Sequence, residues 1–193
     1  GCKFVNYWLH NGFINIDNKK MSKSLGNFFT VREAAAVYGY DCIRMFILMS
    51  HYRSPLNYSG EILMQAKAAL ERLSTAKDNL DFFCQNGADG EMTAAEAETL
   101  ASLGVYRQKF CDAMDDDFNT ADAISAIFEI VRLSNSTISE ASTKAYVSYV
   151  KETMDKLCDV LGIITEKKEE ILDSEVEAVS YTHLRAHETG RNL

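Results

Sequence analysis

The spacing of hydrophobic residues changes near residue 59 and divides the chain into two parts. In the first part, FINID at residues 13–17 alternates apolar and polar side chains, which is the period of a half-buried strand. In the second part, apolar residues recur every three or four positions, as in an amphipathic helix, and no proline follows Pro55. The pattern therefore predicts a short mixed α/β region followed by a region made only of helices.

Two short helices are predicted between the strand and Pro55. Thr30 and Glu33 form the sequence of a capping box, in which the threonine hydroxyl caps the helix and the glutamate reaches back to the cap. Gly39 marks the end of that helix. Asp41 is then expected to cap the second helix, CIRMFILMS. Pro55 lies in a connection that is predicted to be extended or turning.

Four amphipathic helices with short links are predicted after this connection, and they favour an antiparallel bundle. The helices are expected to start at Ser59, Thr93, Thr120 and Thr143, and the last is expected to end at Gly162. Gly104 weakens the prediction that the second of them is unbroken. The predicted buried positions are Ile62, Ala66, Ala69, Leu70, Leu73, Ala76, Leu80, Phe83, Ile124, Ile127, Phe128, Val131, Leu133, Tyr146, Val147, Val150, Met154, Leu157, Cys158 and Leu161.

The C-terminal end departs from this pattern. Residues 166–178 have mixed charge and are expected to form a solvated helix. Residues 179–193 have no apolar period and are interpreted as a non-native tail, so they are left out of the fold prediction.

The composition agrees with a globular protein of mainly α fold. Of the 193 residues, 47% are hydrophobic, which is ample for a core, and no apolar run reaches the roughly 20 residues of a membrane span. The start carries no signal-peptide pattern, and opening on Gly1 indicates an internal piece of a longer protein. The five cysteines form no CxxC pair, which favours free thiols in the cytoplasm and no metal site in this chain. Trp8 and His10 are expected to pack in the core.

The net charge of −8 conceals a basic N-terminal end. Residues 1–60 hold seven Lys/Arg against three Asp/Glu, whereas the remainder holds 13 against 25. An acidic chain is not an obvious nucleic-acid binder, but the local field matters more than the total charge. The basic end coincides with a loop of unusual composition.

This loop has the sequence KMSKSLG at residues 20–26, and Asn18 and Lys19 are expected to lead into it from the strand. Two lysines, two serine hydroxyls and a glycine that permits a turn are groups that polyphosphate requires of a protein. A solvated lysine turn would have a similar composition, and for a generic pair of lysines at this spacing it would be the better interpretation.

The longer stretch KMSKSLGN resembles the KMSKS signature of class I aminoacyl-tRNA synthetases. With KMSKSLGNFFTVRE, RMFILMSHYRSPLNYS and AMDDDFNT, the chain resembles cysteinyl-tRNA synthetases from about residue 4 to residue 178. The resemblance implies the end of a Rossmann-like α/β catalytic domain at 1–19, the signature loop and a small stem-contact region at 20–58, and a helical bundle of the DALR type at 59–178. Two alternatives remain open, namely a cysteine ligase of mycothiol synthesis and a structural helical module without activity.

The resemblance also implies a reaction and its ligands. ATP, with Mg²⁺, and cysteine would form an adenylate, and the cysteinyl group would pass to tRNA(Cys). The proposed ATP-binding residues are Lys20, Met21, Ser22, Lys23 and Ser24. Lys23 is expected to contact the phosphates directly, Lys20 to support it, and both to act in catalysis. The family's zinc ligands and its HIGH-type motif are expected upstream of Gly1, so this chain alone is expected to be inactive; the enzyme is expected to be a monomer.

Contacts with tRNA are predicted at Arg44, Tyr52 and Arg53. Arg44 has an alternative, which is a structural pair with Asp41. Tyr52 and Arg53 would touch the tRNA backbone or brace the signature loop, and the sequence does not separate the two. The acidic run at residues 115–117 is interpreted as a helix-capping cluster rather than a metal site.

Overall fold

The computed structural model describes residues 4–22, 24 and 26–164. Its N-terminal region holds three short strands and two helices: β1 (Ile14–Ile16), β2 (Lys19–Lys20), α1 (Val31–Tyr38), α2 (Tyr40–Leu48) and β3 (Leu56–Tyr58). Four longer helices follow: α3 (Gly60–Asn86), α4 (Ala94–Asp115), α5 (Thr120–Thr137) and α6 (Lys144–Leu161). The mainly helical fold that the sequence predicts is confirmed.

The three strands form one small sheet in the order β2-β1-β3. β1 runs antiparallel to β2 and parallel to β3. Asp17 and Asn18 join β1 to β2 with φ angles of 47° and 61°, which is the left-handed geometry of a tight hairpin turn. Lys19 therefore does not begin a loop, as the sequence suggested, because this turn returns the chain along β1. The Asn18 amide N–H also donates to the Asn57 side chain at 2.7 Å.

α1 begins and ends where the sequence predicts, but the predicted cap of α2 is wrong. Thr30 and Glu33 form the capping box, and Gly39 ends α1. Gly39, with φ of 82°, is also the N-cap of α2, so it is the single residue between the two helices. Asp41 consequently lies in the first turn of α2. Its carboxylate interacts favourably with the positive end of the helix dipole but caps no backbone group.

The four long helices form the predicted antiparallel bundle. Lys77 on α3 lies 3.4 Å from Asp155 on α6, and Lys151 on α6 lies 3.3 Å from Asp81 on α3, so these helices run in opposite directions. α4 packs most extensively on α5. Gly104 does not interrupt α4.

The periodicity predicts the core of the bundle well. All seven residues predicted for α6 are buried. On α3 the buried row includes Leu63, which the prediction omitted, whereas Ile62 is half-buried. The core continues into α1 and α2, where the fully or nearly fully buried residues are Ala34, Ala35, Cys42, Ile43, Met45 and Phe46.

One carboxylate serves as a cap at two helix starts. Glu96 accepts from the backbone N–H and hydroxyl of Thr93, the N-cap of its own helix, at 2.8 and 3.0 Å. It also accepts from the backbone N–H and hydroxyl of Thr143, the N-cap of α6, at 2.8 and 3.0 Å. Burial raises the pKa of Glu96, but these four hydrogen bonds together lower it further, and the net pKa lies below the usual value.

The apolar residues at the start of the chain do not enter the core. The core positions expected for Trp8 and His10 are wrong: both are exposed, Trp8 at 70%, and their rings stack on each other with centroids 6.1 Å apart. The described residues before β1 lie against the loop at residues 51–55 through Gly12, and this contact leaves their large apolar side chains exposed. Further exposed residues of this region are Phe4, Tyr7, Leu9 and Phe13.

The chain after α6 is described only as far as Ile164. Gly162, with φ of 63°, ends the helix as predicted, and Ile163 is buried. The predicted helix at 166–178 and the predicted tail at 179–193 lie outside the described residues. None of the described helices is both long enough and apolar enough to cross a membrane.

Candidate functional site

The loop that follows β2 is closed by a side chain that the sequence analysis did not single out. Asn27 accepts the backbone N–H of Ser22 at 2.9 Å and donates to the carbonyl of Lys20 at 3.1 Å. Ser22 and Ser24 share a hydroxyl–hydroxyl hydrogen bond of 2.7 Å, and Gly26 takes a left-handed φ of 67°. The loop is thus a compact turn whose two ends are held together by one amide side chain.

Both ends of this turn are anchored. On one side, Lys20 pairs with Asn15 in the sheet. On the other side, Phe29 packs its ring on Tyr58, with centroids 4.1 Å apart, and Tyr58 meets Phe46 of α2 edge-on at 6.0 Å. The turn therefore projects from a fixed base between the sheet and α2.

Lys20, the lysine of the turn that the structure describes, is available to an anion, and Lys19 precedes it in β2. Lys19 and Lys20 are exposed, and neither makes an ion pair with any residue that the structure describes. Met21 and Ser22 are half-buried, so they belong to the base of the turn. Lys23, the residue expected to contact phosphate directly, lies outside the described residues. An unpaired lysine beside two serine hydroxyls attracts negative charge, which is the property that polyphosphate binding requires.

A second polar cluster lies between the N-terminal region and the bundle, and we call it the Asp117 cluster: His51, Tyr52, Arg53 and Asp117. The Tyr52 hydroxyl donates to Asp117 Oδ1 at 2.7 Å, and Arg53 Nε lies 2.8 Å from Asp117 Oδ2 and 3.0 Å from the Tyr52 hydroxyl. His51 Nε2 lies 3.7 Å from Asp117, and its ring stacks on Tyr52. The hydrogen bond with Tyr52 and the charge of Asp117 raise the pKa of Arg53.

The helix-capping cluster predicted at residues 115–117 is formed only in part: Asp116 is the C-cap of α4 and donates its backbone N–H to the carbonyl of Asp112 at 2.9 Å, but no side chain of the run caps α5. The side chain that caps α5 is Asn119, which accepts from the N–H of Asp122 at 3.2 Å. The side chain of Asp117 binds Arg53 and Tyr52 instead. Across residues 4–22, 24 and 26–164, no group of three or more His, Cys, Asp or Glu side chains could hold a metal ion. A zinc ion therefore finds no fitting ligand set in this part of the chain.

Arg44 lies apart from the Asp117 cluster. It is exposed on α2, and its guanidinium reaches the end of α6: a β-carbon built on Gly162 would lie 3.1 Å from Arg44 Nη1. The alternative pair with Asp41 is not formed among the described residues. A cation at the C-terminal end of a helix is favoured by the helix dipole, so this position has a structural role of its own.

The described cysteines take no part in either cluster. Cys42 is buried in α2 and donates to the carbonyl of Leu63 at 3.4 Å, and burial raises the pKa of its thiol. Burial raises the pKa of Cys158 to about 12. Both thiols stay protonated at neutral pH and pack as small apolar groups.

The sequence analysis missed Asn27 and Asp117 for different reasons. Asn27 stands directly after Gly26, and an amide beside a left-handed glycine is a usual turn signal, so local reasoning could have found it. Asp117 pairs with Tyr52, 65 positions away in the chain, and nothing in DDDFNT indicates which of its carboxylates turns towards that residue.

Comparison with known proteins agrees with this arrangement. Residues 1–68 match the family described as the tRNA synthetases class I (C) catalytic domain, and residues 109–165 match the DALR domain. A LeuRS of Agrobacterium radiobacter, solved in a ternary complex with tRNA and LeuAMS, has a similar fold with a TM-score of 0.63. The likeness covers 80% of this chain and 22% of that one at 19% identity, so it bears on the fold alone.

Curated relatives are much closer in sequence. The cysteine–tRNA ligase of Lachnospira eligens is 50% identical over 179 residues, which is 93% of this chain and 38% of the relative. The cysteine–tRNA ligases of Clostridioides difficile and Lachnoclostridium phytofermentans are 47% and 49% identical over 92% of this chain, which amounts to 38% and 39% of their lengths. The chain thus spans about two fifths of these relatives and matches them along nearly all of its own length. It belongs to the cysteine–tRNA ligase family of the class I tRNA synthetases.

Proposed function

We propose that this chain supplies the ATP-phosphate loop and the helical bundle of a cysteine–tRNA ligase. The enzyme would activate cysteine with ATP, which carries Mg²⁺ as part of the substrate, and transfer the cysteinyl group to tRNA(Cys). The observation that carries the proposal is the KMSKSLGN turn: its described lysine, Lys20, is exposed and makes no ion pair with any described residue, and the turn lies in a chain 50% identical to a cysteine–tRNA ligase.

The chemistry assigns a distinct task to the turn. The carboxylate of cysteine attacks the α-phosphate of ATP, the bond to the bridging oxygen breaks, and pyrophosphate leaves with additional negative charge. Ammonium groups placed beside that charge stabilise the transition state more than the ground state, and this difference accelerates the reaction. Lys23 and Lys20 are the proposed catalytic cations.

The rest of the turn would complete the ATP site. Ser22 and Ser24 can donate hydroxyl hydrogen bonds to phosphate oxygens when their mutual hydrogen bond opens. Met21 would contribute its backbone. Asn27 keeps the ends of the turn together and so limits the entropy lost when the lysines close on the phosphates.

The division of labour along the chain follows from the same proposal. Residues 1–19 would complete the α/β catalytic domain, 20–58 would hold the signature loop and the stem-contact region, and 59–178 would be the bundle that separates the two ends of the tRNA. Exposed Trp8 and Phe13 would pack against the remainder of the catalytic domain, because apolar surfaces of this kind mark interfaces. The enzyme would act as a monomer in the cytoplasm.

Arg53 is the best supported of the three proposed tRNA contacts. Its Nε is engaged by Asp117 and Tyr52, and its two terminal amino groups have no partner among the described residues. The side chain is 66% exposed, so these amino groups can donate to a backbone phosphate. Tyr52 would act by orienting the guanidinium, and Arg44 would approach the tRNA from α2.

The proposal is tested in a full-length ligase in which this sequence replaces the matching segment of the Lachnospira eligens enzyme. Pyrophosphate exchange should depend on cysteine and fall to background with serine, and the product should be cysteinyl-tRNA(Cys). Transfer to a small-molecule amine and not to tRNA would favour the mycothiol-type ligase instead. Absence of cysteine-dependent exchange in a folded full-length enzyme would overturn the proposal, whereas the 193-residue chain by itself is expected to show none.

A further inference from the structure

The turn between α4 and α5 contacts the N-terminal region at two points. Asp117 binds Tyr52 and Arg53 in the loop between α2 and β3. Thr120, the first residue of α5, donates its hydroxyl to the carbonyl of Leu48 at the end of α2, at 2.8 Å. The bundle therefore holds both the end of α2 and the loop that follows it.

That loop in turn holds the sheet. The carbonyl of Tyr52 accepts the backbone N–H of Gly12 at 2.7 Å, and Leu56 donates its N–H to the carbonyl of Phe13 at 2.8 Å. A β-carbon on Gly12 would lie 2.3 Å from the carbonyl oxygen of Ser54, so only glycine permits this approach. The approach places the loop against the start of β1, and β1 pairs with β2, which ends at Lys20.

We propose that Asp117 is a positioning residue for the signature loop. Its carboxylate fixes Tyr52, the Tyr52 backbone fixes the start of β1, and β1 carries the β1–β2 hairpin from which the KMSKS turn projects. The bundle would thereby set the place of the catalytic lysines over ATP. The kinetic consequence of this inference rests on the proposed function, whereas its structural consequence does not.

Two features favour a positioning role over a contribution to stability alone. Asp117 and Phe118 both have left-handed φ angles, 57° and 54°, a conformation that costs non-glycine residues free energy and persists only where surrounding contacts demand it. The ion pair with Arg53 is largely exposed, and such pairs stabilise a fold little. The contact is nevertheless highly directional, since the two carboxylate oxygens bind two different donors.

The structural consequence is tested by hydrogen exchange on the 193-residue chain. Asp117→Asn keeps an oxygen for the Tyr52 hydroxyl but places an amide group opposite Arg53. Amides of residues 12–20 should exchange about three- to tenfold faster, while those in the middle of α3 and α6 keep their rates. Asp116→Asn is the matched control, because it makes the same charge change at an exposed neighbour with no side-chain partner among the described residues.

Tyr52→Phe provides a second and milder variant, since it removes only the hydroxyl that joins Asp117 to the loop. It should accelerate exchange over the same residues. Unchanged exchange at 12–20 in both variants, or an equal increase throughout the bundle, would overturn the inference.

The kinetic consequence is tested in the full-length ligase described above. Asp117→Asn should lower kcat of cysteine-dependent pyrophosphate exchange about three- to tenfold and leave KM for cysteine unchanged, because the cysteine site is not displaced. Adding Arg53→Ala to Asp117→Ala should cause little further loss, since the two residues act as one unit. Full exchange activity in Asp117→Asn would contradict the inference, whereas an inactive parent enzyme would instead contradict the proposed function.

Discussion

The N-terminal region and the helical bundle differ in how far they bury their hydrophobic side chains. In the bundle, the apolar rows of four helices face one another, and residues such as Leu63, Leu73 and Met154 are fully buried. In residues 4–13, Phe4 is 95% exposed and Trp8 70% exposed, beside a sheet of strands two or three residues long. The period of the apolar residues predicts local structure in both regions. In the bundle, however, the apolar faces of neighbouring helices cover one another, whereas the described residues around 4–13 leave theirs exposed.

This contrast indicates that different residues determine the stability of the chain and its proposed chemistry. Most of the buried core lies in the bundle, so its side chains are expected to make the largest contribution to the free energy of unfolding. The N-terminal region holds the exposed cations and the turn, and it contacts the bundle through α2, Thr120 and the Asp117 cluster. Substitutions should therefore separate cleanly into those that change stability and those that change activity.

The largest change in stability is expected for Leu73→Ala. Leu73 is fully buried in α3, and removing its side chain leaves a cavity that should lower the free energy of unfolding by about 2–5 kcal/mol. Urea denaturation of the chain, followed by circular dichroism, measures the loss. Val105→Ala, at a position 54% exposed on α4, should change stability by less than about 0.5 kcal/mol. Equal losses in the two variants would show that burial of Leu73 is not what stabilises the bundle.

Lys23→Ala should have the opposite profile. In the full-length ligase it should slow adenylate formation about 10²-fold, which corresponds to about 2.7 kcal/mol of transition-state stabilisation, because one oriented cation is lost. Lys20→Ala should slow it less. Single-turnover measurements give the rate, and the melting temperature should not change. Lys19→Ala is the control, since Lys19 is an exposed lysine of the same strand as Lys20; wild-type activation by Lys23→Ala would show that the assignment is wrong.

Glu96→Gln should lower stability by about 1 kcal/mol at neutral pH, the usual worth of a helix cap. Because the folded-state pKa of Glu96 is lowered, its contribution is fully present above the unfolded-state pKa and is lost as pH falls through the folded-state pKa. Denaturation at a series of pH values from 7 to 3 should show the difference from wild type shrinking with acid.

Glu98 lies on the same helix, is exposed and binds neither Thr93 nor Thr143, so it supplies the control for that experiment. Glu98→Gln should match wild type at every pH, within about 0.5 kcal/mol. A loss of stability in Glu96→Gln that does not depend on pH would show that the negative charge of the carboxylate does not contribute to the two helix caps.

Trp8→Ser should have the smallest effect on the stability of this chain. Since Trp8 is 70% exposed and, among the described residues, its ring stacks on His10, the free energy of unfolding should change by less than about 0.5 kcal/mol. Binding of a dye that reports exposed apolar surface should nevertheless fall. Val160→Ser, at an isolated exposed position on α6, should leave dye binding unchanged; destabilisation by Trp8→Ser would show that this surface is covered within the chain.

Local sequence signals predicted the helices because each signal acts within one turn. Thr30 and Thr93 cap the helices that they precede, each with a glutamate three residues on, and Gly162 ends α6 in a left-handed conformation. These interactions join residues at most a few positions apart, so the sequence contains all of their partners. The prediction for Asp41 was wrong because Gly39 serves two helices at once, and a local pattern does not exclude such sharing.

The helical periods and most of the helix caps can be read from the sequence, because they depend on residues a few positions apart, and the composition of the signature turn is part of the sequence itself. Other contacts appear only when the elements pack together. Asp117, and neither of its two acidic neighbours, reaches Tyr52 and Arg53. Glu96 likewise caps a second helix through Thr143, 47 positions away. Such contacts depend on how elements pack, and packing is set by the summed burial of many side chains. For the same reason the sequence led us to expect Trp8 in the core, whereas the fold leaves it 70% exposed with its ring stacked on His10.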